Sequence, residues 1–142
     1  MQAWNSEIFK SHGNYDISGN FIGVPLLHRQ TEEPQLHVSV HLPHKNGRKR
    51  VRENLCRYVN EHLLLGERQV YIHGDFNATP GELEVLFPNS VLTINGITTQ
   101  QGGEKDNILI IAEEDESEYE GSIITEEHNY SHHVIKTKFT VD

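Results

Sequence analysis

The sequence predicts a layered α/β domain in which a mixed β-sheet carries one main helix packed on it. Three observations lead there. Leu36, Val38, Val40 and Leu42 alternate with His37, Ser39 and His41, the period of a strand with one buried face. Val51, Leu55, Val59 and Leu63 then recur every four residues, with Tyr58 and His62 widening the stripe, as on an amphipathic helix. A further apolar strand, Gln69 to His73, follows directly. Strand, helix, strand in that order is a crossover unit. It places the two strands parallel in one sheet and brings their C-terminal ends to one edge.

The elements follow in order. Phe21 to His28 and Leu36 to Leu42 read as strands joined by Gln30-Thr31-Glu32-Glu33-Pro34, a polar turn with a proline stop. The helix runs from Gly47 to Leu65 and stops at Gly66. The strand from Gln69 is expected to break at Gly74. Thr79-Pro80-Gly81-Glu82 opens a short helix, Gly81 to Leu86, closed by Pro88. Val91 to Ile97 is expected as a strand, Thr98 to Glu104 as a loop, and Asn107 to Ala112 as a buried strand. Ser122 to Thr125 and Val134 to Val141 close the chain as strands. Between them and the buried strand, Glu113 to Glu120 holds six acids in eight residues, which reads as a solvated hairpin loop. It lacks the ordered oxygen spacing and glycine turn of a calcium loop.

A chain of 142 residues suits one domain, and 35% apolar residues give it a modest core. A net charge of −9 argues against loose nucleic-acid binding through the overall field. The charge is uneven, however: six basic residues lie between Lys45 and Arg57, with Glu53 the lone acid among them. That segment is either a solvated helix face or a patch facing a polyanion. A single cysteine, Cys56, rules out an internal disulfide and is expected at the edge of the core. No stretch reaches the length of a membrane-spanning helix, and Met1 to Asn5 lacks the regions of a secretory signal, so no membrane partner and an intracellular site, cytoplasmic or nuclear, are expected.

The run Tyr71-Ile72-His73-Gly74-Asp75-Phe76-Asn77 sets an acid and an amide two residues apart where an apolar strand ends. Strand ends are where active sites of layered α/β proteins tend to lie. His41 ends the neighbouring parallel strand, so topology alone brings it near Asp75 and Asn77. Asp106-Asn107-Ile108-Leu109-Ile110 and Ser131-His132-His133-Val134 follow in order. Singly, each has a plain structural reading: Asp75 and Asn77 as turn caps, Asp106 as a surface acid, and the paired histidines as edge residues.

Taken together and in order, these stretches resemble the endonuclease/exonuclease/phosphatase superfamily, with its deoxyribonuclease-I-like fold, from about Phe21 to Phe139. The match covers the C-terminal half of that family's domain. It implies half of a four-layer α-β-β-α sandwich, residues 1–142 forming one truncated domain without the family's N-terminal strands and their Asn and Glu. The resemblance implies a metal-dependent phosphoesterase or nuclease acting on a phosphodiester or phosphomonoester. By it, Asp75 activates water, Asn77 and His41 contact the phosphate, and Asp106 orients His133 as a phosphate contact or proton donor. Mg2+ or Mn2+ is the ion the resemblance implies at Asp75, Asn77 and His132, held weakly or not at all by the isolated chain. The family's last motif is Ser-Asp-His, so His132 stands here in place of a carboxylate, a donor better suited to zinc than to magnesium. Arg48 and Arg52 of the basic segment are added as substrate contacts. The expected partners are a phosphate-ester substrate, nucleic acid among the candidates, and a second copy or another chain over a sheet face that a lone half leaves apolar and bare. Two other functions compete: a catalytically impaired or partner-dependent half-domain, and a module that binds through the basic segment without chemistry.

Overall fold

Period-two and period-four patterning produces the expected layers. The structure is a computed structural model that describes residues 3–11, 13, 16–17, 19–66, 69–112, 118–125 and 131–140. The elements are β1 (Phe9–Ser11), β2 (Asp16–Ile17), β3 (Phe21–His28), β4 (Pro34–His41), α1 (Arg48–Leu64), β5 (Gln69–Asp75), α2 (Pro80–Leu86), β6 (Ser90–Leu92), β7 (Asp106–Ala112), β8 (Glu118–Ile124) and β9 (Val134–Thr140). A seven-stranded sheet runs β1-β3-β4-β5-β7-β6, with β2 alongside β3, and β8 and β9 form a separate pair. β4 and β5 are parallel and the other pairs antiparallel, so the sheet is mixed. This is the layered α/β half-sandwich expected, with α1 as its main helix.

The core lies between the helices and one face of this sheet. Leu55 and Val59 of α1 pack with Leu36, Val38, Val70, Ile72 and Leu109, and Phe76 and Leu83 extend the cluster under α2. Each such side chain is fully or almost fully buried, worth roughly 1.5–3 kcal/mol apiece. Cys56 sits at the edge of this core, where burial pushes its thiol up.

Three expected boundaries move, each for a local reason. β5 does not break at Gly74; it continues to Asp75. Gly74 takes a φ of 135°, and a Cβ there would lie 2.2 Å from the carbonyl oxygen of Val40, so glycine is what lets the strand pass so close to its neighbour. β6 stops at Leu92 instead of running to Ile97. Beyond it the fully buried Asn107 side chain takes over the ladder: its Oδ1 accepts from Ile94 N–H at 3.2 Å and its Nδ2 donates to Ile94 C=O at 3.0 Å. β8 begins at Glu118, so the end of the acidic run is strand and not loop. The rest of that run, residues 113–117, lies outside the described residues, as does Val141.

The second face of the sheet differs from the bare apolar surface expected. Val24 and Leu26 are buried there, but its centre is polar and internally bonded. Gln35 Nε2 and Tyr71 Oη both donate to Gln69 Oε1 at 2.9 Å, and His37 Nε2 lies 2.9 Å from Gln35 Oε1. His37 stacks on Tyr71 with centroids 4.8 Å apart. Burial, with a smaller contribution from His73, lowers the His37 pKa to about 4. Ala3, Trp4 and Asn5 wall a cavity of about 380 Å³ against Phe9, Val24, Leu26, His37 and His73. No helix among the described residues is long and apolar enough to cross a membrane.

Candidate functional site

Register builds the site. The parallel ladder pairs His41 with Asp75, and the antiparallel ladder on the other side pairs Asp75 with Asp106. The three residues therefore form one rung across β4, β5 and β7, at the edge where both parallel strands end. Paired positions in neighbouring strands present their side chains on the same face. His41 Nε2 lies 3.7 Å from Asp75 Oδ2, with the histidine largely exposed and the acid half-buried.

The fourth member arrives from the far end of the chain. The loop that follows β6 docks the segment before β9 through the antiparallel Thr99–His132 bridge, made by two hydrogen bonds: His133 N–H to Thr98 C=O at 2.7 Å and Gln100 N–H to Ser131 C=O at 2.8 Å. The fully buried Thr98 hydroxyl in turn accepts from the N–H groups of Lys105 and Asp106, both at 3.1 Å, fixing the start of β7. As a result His132 Nδ1 lies 2.8 Å from Asp106 Oδ2, and its Nε2 lies 3.8 Å from Asp75 Oδ2. The partner of Asp106 is thus His132, a correction to the expected His133. Along extended backbone adjacent side chains point to opposite sides, so one of the two histidines can face Asp106, and the bridge selects the first.

Asn77 is at the site through its backbone as well as its side chain. It adopts a left-handed φ of 45°, its N–H donates to Asp75 Oδ1 at 2.9 Å, and its Nδ2 donates to Leu42 C=O at 2.6 Å. Arg48 and Arg52, expected at the substrate, are turned instead onto Glu82, with Arg52 Nη1 3.2 Å from its Oε2 and Arg48 Nη2 paired to the same oxygen. That correction follows from the short helix α2, whose Thr79–Glu82 capping box brings a carboxylate against α1. The sequence marks Thr79 to Glu82 as the opening of this helix; nothing there marks Thr98 or Thr99 as supports of the site.

Asp75, Asp106 and His132 each offer a ligand atom, all within 4.8 Å of one another. Two carboxylates and an imidazole are a donor set that divalent cations accept. The Asp106 contact on Nδ1 leaves Nε2 facing Asp75, the arrangement in which carboxylate-anchored histidines ligate metals. The residues present therefore fit a divalent ion, with Asp106 joining the expected Asp75 and His132.

Solved structures share this fold. The human Nocturnin catalytic domain superposes with a TM-score of 0.66 at 18% identity, over 95% of this chain and 62% of that one. An endonuclease/exonuclease/phosphatase family protein from Bacteroides thetaiotaomicron gives 0.64 at 15% identity, over 86% and 55%. The chain has the endonuclease/exonuclease/phosphatase fold. A mannosyl-6-phosphatase from the same bacterium shares this fold at 13% identity, with a TM-score of 0.62 over 85% of this chain and 57% of that one. The chain thus spans little more than half the length of these endonuclease/exonuclease/phosphatase structures. No protein-family profile and no curated protein matches its sequence.

Proposed function

We propose that this chain is a metal-dependent phosphoesterase, and the observation that carries the reading is the His41, Asp75, Asp106 rung completed by His132. Asp75 takes the proton of the attacking water. It suits that role because Asn77 N–H occupies only Oδ1, while Oδ2 faces both His41 and His132. His41, exposed at the strand end, contacts a phosphoryl oxygen. His132, its Nδ1 fixed by Asp106, presents Nε2 beside Asp75 Oδ2, where it would help hold the ion. A divalent ion held by Asp75, Asp106 and His132 would supply charge relief for the phosphoryl oxygens.

The test is calorimetric titration of purified chain with Mg2+ and Mn2+, run beside hydrolysis of p-nitrophenyl phosphate and bis(p-nitrophenyl) phosphate. Asp75→Asn and His132→Ala are each expected to lower turnover by about a hundredfold or more. Absence of metal-dependent turnover in the wild type on either ester would overturn the reading for the isolated chain.

A second reading is favoured by one observation: the structures of this fold contain nearly twice as much chain as aligns here. By that reading the chain is a partner-dependent half, and a second copy or another polypeptide completes it. Sedimentation across a concentration series distinguishes the two, since a monomer that turns over substrate needs no partner.

A further inference from the structure

Asn77 is held in a backbone conformation that residues other than glycine seldom adopt. Three bonds secure it: the N–H to Asp75 Oδ1, the Nδ2 to Leu42 C=O, and its own C=O, which accepts from Arg52 Nη2 at 3.4 Å. The third leads out of the site. Arg52 is anchored by Nη1 on Glu82 Oε2, which also takes Arg48, while Glu82 Oε1 accepts from Thr79 N–H at 3.3 Å. One carboxylate thus ties α1, the 77–79 turn and the start of α2 together.

We propose that Glu82 and Arg52 are positioning residues of the Asp75 site, acting through Asn77; the inference rests on the reading of Asp75 as the catalytic carboxylate. The argument is one of aim. Asp75 has two carboxylate oxygens, and Asn77 N–H claims Oδ1. That contact leaves Oδ2 toward His41 and His132, and the bonds on the Asn77 side chain and carbonyl hold in place the turn that makes it. Arg52 can hold Asn77 because its guanidinium rises from a helix whose other side is buried in the core, and its planar fork reaches Glu82 and Asn77 at once. Burial would raise the Glu82 carboxyl, but the Thr79 N–H and the guanidiniums of Arg52 and Arg48 outweigh it and hold Glu82 below its usual range, so the anchor is charged at neutral pH. The Nε atoms of Arg48 and Arg52 are buried without hydrogen-bond partners. That is a desolvation cost accepted to keep the other ends of both guanidiniums in place.

Amide hydrogen exchange of the 15N-labelled full chain tests this. In Arg52→Gln and in Glu82→Ala the Asn77 N–H is expected to exchange about tenfold faster, and no faster in the double variant than in either single one. The Ile72 amide, inside β5 and away from the turn, should stay as protected as in the wild type. Thr79→Ala removes the helix cap and leaves the arginine clamp, so Asn77 protection should survive it. Arg52→Lys, which keeps a charge on Glu82, should restore part of the protection. Equal exposure of Ile72 and Asn77 in both Arg52 variants would show a general structural role and overturn the proposal, as would unchanged Asn77 exchange in Arg52→Gln and Glu82→Ala. Mn2+ titration of the same samples separates the two readings. A wild type that binds no ion defeats the phosphoesterase assignment, while the exchange result still decides whether Glu82 and Arg52 hold Asn77.

Discussion

Gly74 shows how much a single position controls here. It keeps β5 in the ladder where the sequence pattern suggested a break, and its missing side chain lets Asp75 reach the rung with His41 and Asp106. Gly74→Ala is expected to cost about 3 kcal/mol or more, from the positive φ together with collision against the Val40 carbonyl; urea unfolding would read it as a lowered midpoint. Metal affinity should fall with it, because the strand must shift to admit the methyl. At this scale the sequence revealed the residue types of the site but mispaired one of them. Asp106 and His132 lie 26 positions apart in the chain, and which of two adjacent histidines faces an acid depends on a backbone bridge that leaves no mark in composition or spacing.

Among the elements, α1 and the β4–β5 pair were legible because each buries a long periodic stripe. Leu55→Ala should therefore destabilise by about 2–5 kcal/mol, the cost of a core cavity under a main helix, measurable by denaturant titration. Thr79→Ala should cost about 1 kcal/mol through loss of the α2 cap. β6 was overextended for the opposite reason. Its continuation past Leu92 is apolar enough to look like strand, and the side chain that replaces its ladder belongs to Asn107, on another element. α1 is the helix expected, but its Arg48 and Arg52, expected as substrate contacts, are engaged by Glu82, an acid 30 residues beyond Arg52.

Across the whole molecule, the two faces of the sheet have different chemistry, and pH should separate them. His37 is held neutral, with its pKa lowered to about 4 from 6.5. Between those values the unfolded chain binds more protons than the folded one, so stability is full above about 6.5 and is lost as pH falls toward 4, by about 3 kcal/mol from this residue. Urea midpoints collected from pH 7 down to pH 4 should show that slope, and His37→Gln should flatten it. The overall architecture could be read from one crossover unit and a few ordered motifs. The composition of the second face could not, because its polar residues alternate with the core stripe and look like any solvated side of a strand. Trp4 is the only tryptophan in the chain, and it borders the cavity on that face beside His37 and His73. The native protein therefore carries its own fluorophore beside that cavity, and a shift in its emission would report any change in the cavity's hydration with no label attached.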